Sequence, residues 1–253
     1  MNKTWNPEQL SQLGKTLGSL GEKLPTTEAK AGASRLVQVM SMSMGPVELI
    51  PLGEALGTLG ERLPVAKAKA GASRLVQVMG WTTNEWLLGS LGKALGSLGE
   101  RLPAAGAKAG ASRLLEAMDK ITDEEDMSIL GGGLGALGER LPPNAAQTVV
   151  LRLLETMLNT TNEKAFTSLA KSLGSIPLPK DLSAMDTAPD LLQAPMAYGE
   201  TLEHLLNYYS RLAGLEDDQG FKTTDGLNAW TRVHRPELDL TRPSRNPFQM
   251  ASR

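Results

Sequence analysis

Leu10, Leu13, Leu17, Leu20 and Leu24 are spaced 3, 4, 3 and 4 residues apart, which places them on one face of a helix. The same stripe returns at Leu49, Leu52, Leu56, Leu59 and Leu63, and again at Leu88, Leu91, Leu95, Leu98 and Leu102. Each stripe runs into a proline: Pro25, Pro64, Pro103 and, in a fourth copy, Pro142, one every 39 residues. A residue before proline is pushed out of the helical region, so each proline ends one helix and opens the next. A second stripe comes after it, Ala29, Ala33, Leu36 and Met40 in the first copy, with Lys30, Ser34 and Gln38 on the opposite side. The unit is therefore a pair of helices, A and B. A fixed period of this length marks a repeat architecture, because one helical pair cannot bury both stripes and stacked copies can.

Helix A has recognisable starts. Asn6, Gly45, Asn84, Asp123 and Asn162 fall at the N-cap position of five units, and four of the five can cap with a side-chain oxygen. Trp5 and Leu10 have the spacing of a hydrophobic staple. Gly53, Gly57 and Gly60 edge the leucine stripe of the second unit, and the other units carry glycine at equivalent positions. Each interior helical glycine costs about 1 kcal/mol relative to alanine. Keeping them in register predicts a neighbouring helix passing close to a surface without side chains. The fifth unit keeps Leu169, Leu173 and Ile176 in phase and then breaks at Ile176-Pro177-Leu178-Pro179.

The predicted organisation is an array over 1–178, with units starting near 6, 45, 84, 123 and 162, and an irregular helical capping module with an extended tail over 179–253. In the second part Tyr198 to Leu215 reads as an amphipathic helix and Thr224 to Val233 as a last one carrying Trp230. A terminal module must shield the open end of a repeat core. Trp230, Tyr208 and Tyr209 could instead form a docking surface.

Composition narrows the function classes. The 253 residues carry a net charge of −2, so nothing draws the whole chain toward nucleic acid or an anionic membrane. Cysteine is absent, which removes disulfides, thiolate metal sites and cysteine nucleophiles. No apolar run approaches the roughly 20 residues of a membrane helix, and MNKTWNPEQL has no signal-peptide core. A cytoplasmic setting is expected. Aromatic residues make up 4% and glycine 26 positions, which suits thin, closely packed helices better than an aromatic sheet core.

The unit LGTLGERLPVAKAKAGASRLVQVM (Leu56 to Met79) resembles a bacterial HEAT or armadillo-like repeat, in a glycine- and alanine-rich form. Met79 to Leu95 and Met157 to Leu173 are similar to the segments that link one hairpin to the next in such arrays. Leu191 to Tyr209 and Pro236 to Pro243 resemble segments found on the C-terminal side of such arrays. The resemblance implies an all-α fold, a right-handed α-α superhelix with a C-terminal helical cap. It also implies a neighbourhood of kinase or β-propeller domains in signalling proteins. This chain departs from the pattern by placing glycine where alanine is usual and by carrying no kinase or propeller.

Catalytic motifs are missing. There is no GxSxG, GxxxxGK[ST] or HExxH, and Gly131 to Gly135 lies in the register of helix A with no strand before it. His204 and His234 are the only histidines, too few ligands for a metal site. Neither cofactor nor metal is expected. The polar feature that recurs is a set of rows along helix B. One holds Lys30, Lys69 and Lys108, a second Arg35, Arg74 and Arg113, a third Gln38, Gln77 and Glu116. These residues are the candidates for gripping a protein or peptide along a concave helix-B side. The arginines could instead pair with Glu22, Glu61, Glu100 and Glu139 of helix A, and the rows could be solvated faces copied by duplication. A nucleic-acid-binding repeat and an enzyme using His204 or His234 are the other function classes. The near-neutral charge and the single lysine row argue against the first. A monomer is expected, although near-identical units also allow a repeat-swapped dimer.

Overall fold

The structure, a computed structural model, describes residues 16, 25–42, 45–59, 62–177, 188–192, 200–213, 215 and 220–234. The expected cap at Asn6, the staple of Trp5 and Leu10 and the tail after His234 lie outside them. Among the described residues the chain is all-helical, with no strand. Helices of type B are α1 (Thr26–Ser41), α3 (Val65–Trp81), α5 (Ala104–Met118) and α7 (Pro143–Asn159). Helices of type A alternate with them: α2 (Pro46–Gly57), α4 (Glu85–Gly96), α6 (Glu124–Leu137) and α8 (Glu163–Gly174). Beyond these lie α9 (Ala188–Leu192), α10 (Glu200–Leu212) and α11 (Thr224–His234).

The helix starts obey the sequence chemistry. Asn84 Oδ1 accepts from the Leu87 N–H at 2.9 Å, Asp123 from Glu125 and Asp126, and Asn162 from Ala165. Gly45 caps α2 without a side chain, and Pro46 occupies its first turn. Each B helix begins directly after its proline, and Pro25, Pro64, Pro103 and Pro142 stand at the N-cap. Before Pro103 and Pro142 a 3-10 turn intervenes, over Gly99–Arg101 and Gly138–Arg140. Gly99 opens its turn with φ 51°, which a side chain would resist.

Helices α2, α4 and α6 each pack against the B helix that follows, successive A helices from α2 to α8 pack against one another, and each B helix packs against neighbouring B helices. The contact between successive A helices is the more extensive of the two. One hydrophobic cluster of described residues runs from Ala29 to Leu227 and contains Ala29, Ala33, Leu36 and Met40 as well as the leucine stripes of the second and third units, while the first stripe, Leu10 to Leu24, lies outside the described residues. Beyond the fourth B helix, α8 takes α10 as its next neighbour. Thr167 and Thr201 hydroxyls meet at 2.7 Å, and Arg211 donates to the Gly174 carbonyl at 2.6 Å. Helix α11 then packs on α10. Tyr208 and Tyr209 are 1% and 0% exposed, so they belong to the core and cannot form the docking surface they suggested. Their rings meet edge to face at 5.3 Å.

Candidate functional site

The helix-B face carries the three predicted rows, and the structure gives them different work. Arg74 Nε donates to the Met40 carbonyl at 2.9 Å, and Arg113 Nε donates to the Met79 carbonyl at 2.9 Å. Those carbonyls lie in the last turn of the preceding B helix, where no further turn exists to bond them. A guanidinium there also faces the negative end of the helix dipole. Arg113 adds a bond to the Thr82 carbonyl at 3.1 Å. The same arginines hold the third row. Arg35 and Arg74 donate to Gln38 and Gln77, both at 2.8 Å, and Arg113 pairs with Glu116 at 3.1 Å. In the fourth unit Arg152 turns to Asp119 at 3.0 Å and Glu155 at 2.8 Å, and its buried Nε is left without a partner. Among the described residues the carboxylates that meet Arg113 and Arg152 stand on the B helices and at the end of one, and Glu100 and Glu139 of the A side are exposed, while Glu22 and Glu61 lie outside the described residues.

Lys30, Lys69 and Lys108 differ from the arginines. All three are exposed, and their ammonium groups make no hydrogen bond or ion pair among the described residues. Beside them Ala31, Ala70, Ala109, Ser73 and Ser112 are exposed as well. The surface next to the lysine row is thus low and weakly polar. In the fourth unit the Ser112 position becomes Leu151, 44% exposed, and the lysine position becomes Gln147.

The A side is built from backbone. A β-carbon at Gly57 would collide with the Ser97 carbonyl, one at Gly96 with the Ala136 carbonyl, and one at Gly138 with the Ser175 carbonyl. At Gly133 it would sit 3.1 Å from the Gly89 oxygen. Hydroxyls use the bared backbone: Ser175 Oγ donates to the Gly135 carbonyl at 2.8 Å, and Ser97 Oγ reaches the Gly53 carbonyl at 3.3 Å. Glu124 at the start of α6 accepts from the N–H and hydroxyl of Thr161, at 2.9 and 2.7 Å. Burial pushes its carboxyl upward, yet the bonds from Thr161 and Asn162 outweigh it and hold the group below the ordinary glutamate range. Asp126 is shifted the other way, by burial first and then by Asp123, Glu85 and Glu125.

The remaining candidates offer little chemistry. His234 lies flat on Trp230 with ring centres 4.5 Å apart, and its Nδ1 donates to the Trp230 carbonyl at 2.9 Å. His204 sits on α10, on a different helix, and no group of three acidic or histidine side chains among the described residues is placed to hold a metal. A cavity of about 300 Å³ lies between α10 and the segment before α11, over Leu202, Leu206 and Phe221 with Glu203, Asn207 and Lys222 at its rim. Trp81 and Trp86 are 57% and 56% exposed at the link between α3 and α4, with Arg74 5.5 Å over the Trp81 ring. No described helix is long and apolar enough to cross a membrane. Comparison with protein-family models, curated proteins and solved structures finds no match to this chain.

Proposed function

We propose that the chain is a non-enzymatic scaffold that binds a protein or peptide along its helix-B face. In this reading the array is a right-handed α-α superhelix of HEAT or armadillo-like hairpins, capped by α10 and α11, monomeric and working in the cytoplasm. One observation carries it: three lysines recur at one position of three neighbouring B helices, exposed and with unbonded ammonium groups among the described residues, while Arg74 and Arg113 beside two of them are committed to carbonyls of the preceding helix. Charge held in a row without an internal partner suits an external one. The arginines then act as positioning residues for the surface and not as its contacts.

The full chain and a Lys30→Glu, Lys69→Glu, Lys108→Glu variant, each immobilised, test the reading in lysate of the encoding organism. A protein retained by the first and lost by the second, with identical helical melting of both, is the expected result. Equal capture by the folded variant would remove the helix-B face from the function.

A further inference from the structure

Resting on that reading, we infer that the occupant of the helix-B face is an acidic α-helix of a partner, lying across the B helices with a carboxylate every seventh residue. Pitch and charge both point to it. Lys30, Lys69 and Lys108 sit at the same position of α1, α3 and α5, and these helices pack side by side. Neighbouring packed helices stand about 8–10 Å apart, so the three ammonium groups form a row with a step near that distance. An α-helix rises about 1.5 Å per residue, so seven residues, two turns, advance it by about 10.5 Å and return to the same face. Carboxylates at i, i+7 and i+14 therefore meet the row one to one. An extended segment advances about 3.3 Å per residue and alternates faces, so its same-side positions fall near ~6.6 and ~13 Å, on either side of the step. Single-stranded nucleic acid suits the surface less well: the chain's net charge is −2, and a surface relief made of Ala and Ser offers bases no aromatic ring to stack on.

That relief is low. Ala70, Ala109, Ser73 and Ser112 are exposed along the row, and small side chains let a crossing helix approach closely. Leu151, 44% exposed at the Ser112 position of α7, offers an apolar stop where the lysine row has ended. A second copy of this chain fits less well. The acids on its own B helices are Glu28, which accepts from the Thr27 hydroxyl, and Glu116 and Glu155, which already pair with Arg113 and Arg152. Gln38 and Gln77 stand where its other rungs would need charge.

The test uses the full chain and labelled 21-residue helical peptides followed by fluorescence anisotropy. One peptide carries Glu at i, i+7 and i+14 over an alanine face. A second has the same composition with Glu at i, i+4 and i+8, and a third has Lys at i, i+7 and i+14. The first should bind at least about tenfold more tightly than the second, and its affinity should fall as salt rises. The Lys30→Glu, Lys69→Glu, Lys108→Glu variant, shown by circular dichroism to melt as the parent does, should lose the first peptide and take up the third. Equal affinity for the first and second peptides would overturn the spacing. Tighter binding of a single-stranded oligonucleotide, or a concentration-dependent dimer that the variant loses, would replace the acidic helix by that occupant. Absence of binding by every peptide also overturns it, and leaves the scaffold standing if lysate capture still depends on the three lysines.

Discussion

At Gly96 the next A helix passes so near that a β-carbon would strike the Ala136 carbonyl. At Arg113, on the other side of the same unit, a whole side chain spans the gap to reach the Met79 carbonyl. Both seams repeat along the chain, and they are made of opposite materials. The A seam gains contact by having no side chains, at a cost of about 1 kcal/mol in helix propensity for each glycine. Close packing over a long shared stretch offsets that cost. The B seam joins its helices with charged hydrogen bonds to the carbonyls of buried Met40 and Met79, which would otherwise be left unpaired. A seam of the first kind tolerates no addition, and a seam of the second kind tolerates no removal.

Substitutions of opposite sign break this comparison most sharply at glycine. Gly96→Ala should destabilise the chain by about 3 kcal/mol, because the neighbour to be displaced is backbone and cannot swing aside. Gly80→Ala, in the last turn of α3 where nothing lies within 4 Å of the added carbon, should stabilise by about 0.5–1 kcal/mol. Urea denaturation monitored by helical circular dichroism reads both, and equal signs would show that propensity and not proximity governs the A seam. Next in size is Arg113→Ala, which removes the bonds to Met79, Thr82 and Glu116 and should cost about 2 kcal/mol. Arg113→Lys should recover less than half of it, since one ammonium cannot reproduce a fork of donors. Arg152→Ala should cost less than Arg113→Ala, because its Nε has no bond to lose.

Smaller effects sharpen the limits of the comparison. Tyr208 is buried with its hydroxyl unpartnered, and burial pushes its pKa far above the ordinary tyrosine range, with Arg211 opposing. Tyr208→Phe should therefore be neutral or stabilising by up to about 1 kcal/mol, where loss of a bonded hydroxyl would destabilise. Its ionisation is disfavoured in the fold, so parent stability should decline above the ordinary tyrosine pKa of about 10. The phenylalanine variant should lose that part of the decline in a melting series carried about one pH unit beyond that value. Glu124 acts at the other end of the scale. Its folded pKa is held below the ordinary value, so its contribution is present above about pH 4.3 and disappears as pH falls through the folded value. The group is largely solvated, so the effect is below about 0.5 kcal/mol. Glu124→Gln should flatten the acid limb of the stability curve, and an unchanged limb would show that the Thr161 bonds carry no net stability.

The units, caps and stripes were legible because each depends on residues close in the chain. Asn84, Asp123 and Asn162 cap residues two or three positions on, and Pro103 ends the leucine stripe beside it. The glycine register announced a close neighbour, and Gly57, Gly96 and Gly138 have one. The arginine row announced a role without saying which. A backbone carbonyl has no letter of its own, so Met40 and Met79 gave no sign that they would receive Arg74 and Arg113. Tyr208 and Tyr209 look alike for a surface and for a core, and only the packing of α10 on α8 put them inside.

Taken alone, the order of residues determined where helices start and stop, which face of each is apolar and how often the pattern returns, since propensity, capping and periodicity act within a few residues. The tertiary structure decided which polar groups are engaged inside the fold and which stay exposed. Arg74 and Met40 are 34 positions apart, and Ser97 and Gly53 are 44 apart. Stacking brings such groups together and engages Arg74 and Arg113 with the carbonyls of the preceding helix, while Lys30, Lys69 and Lys108 stay exposed.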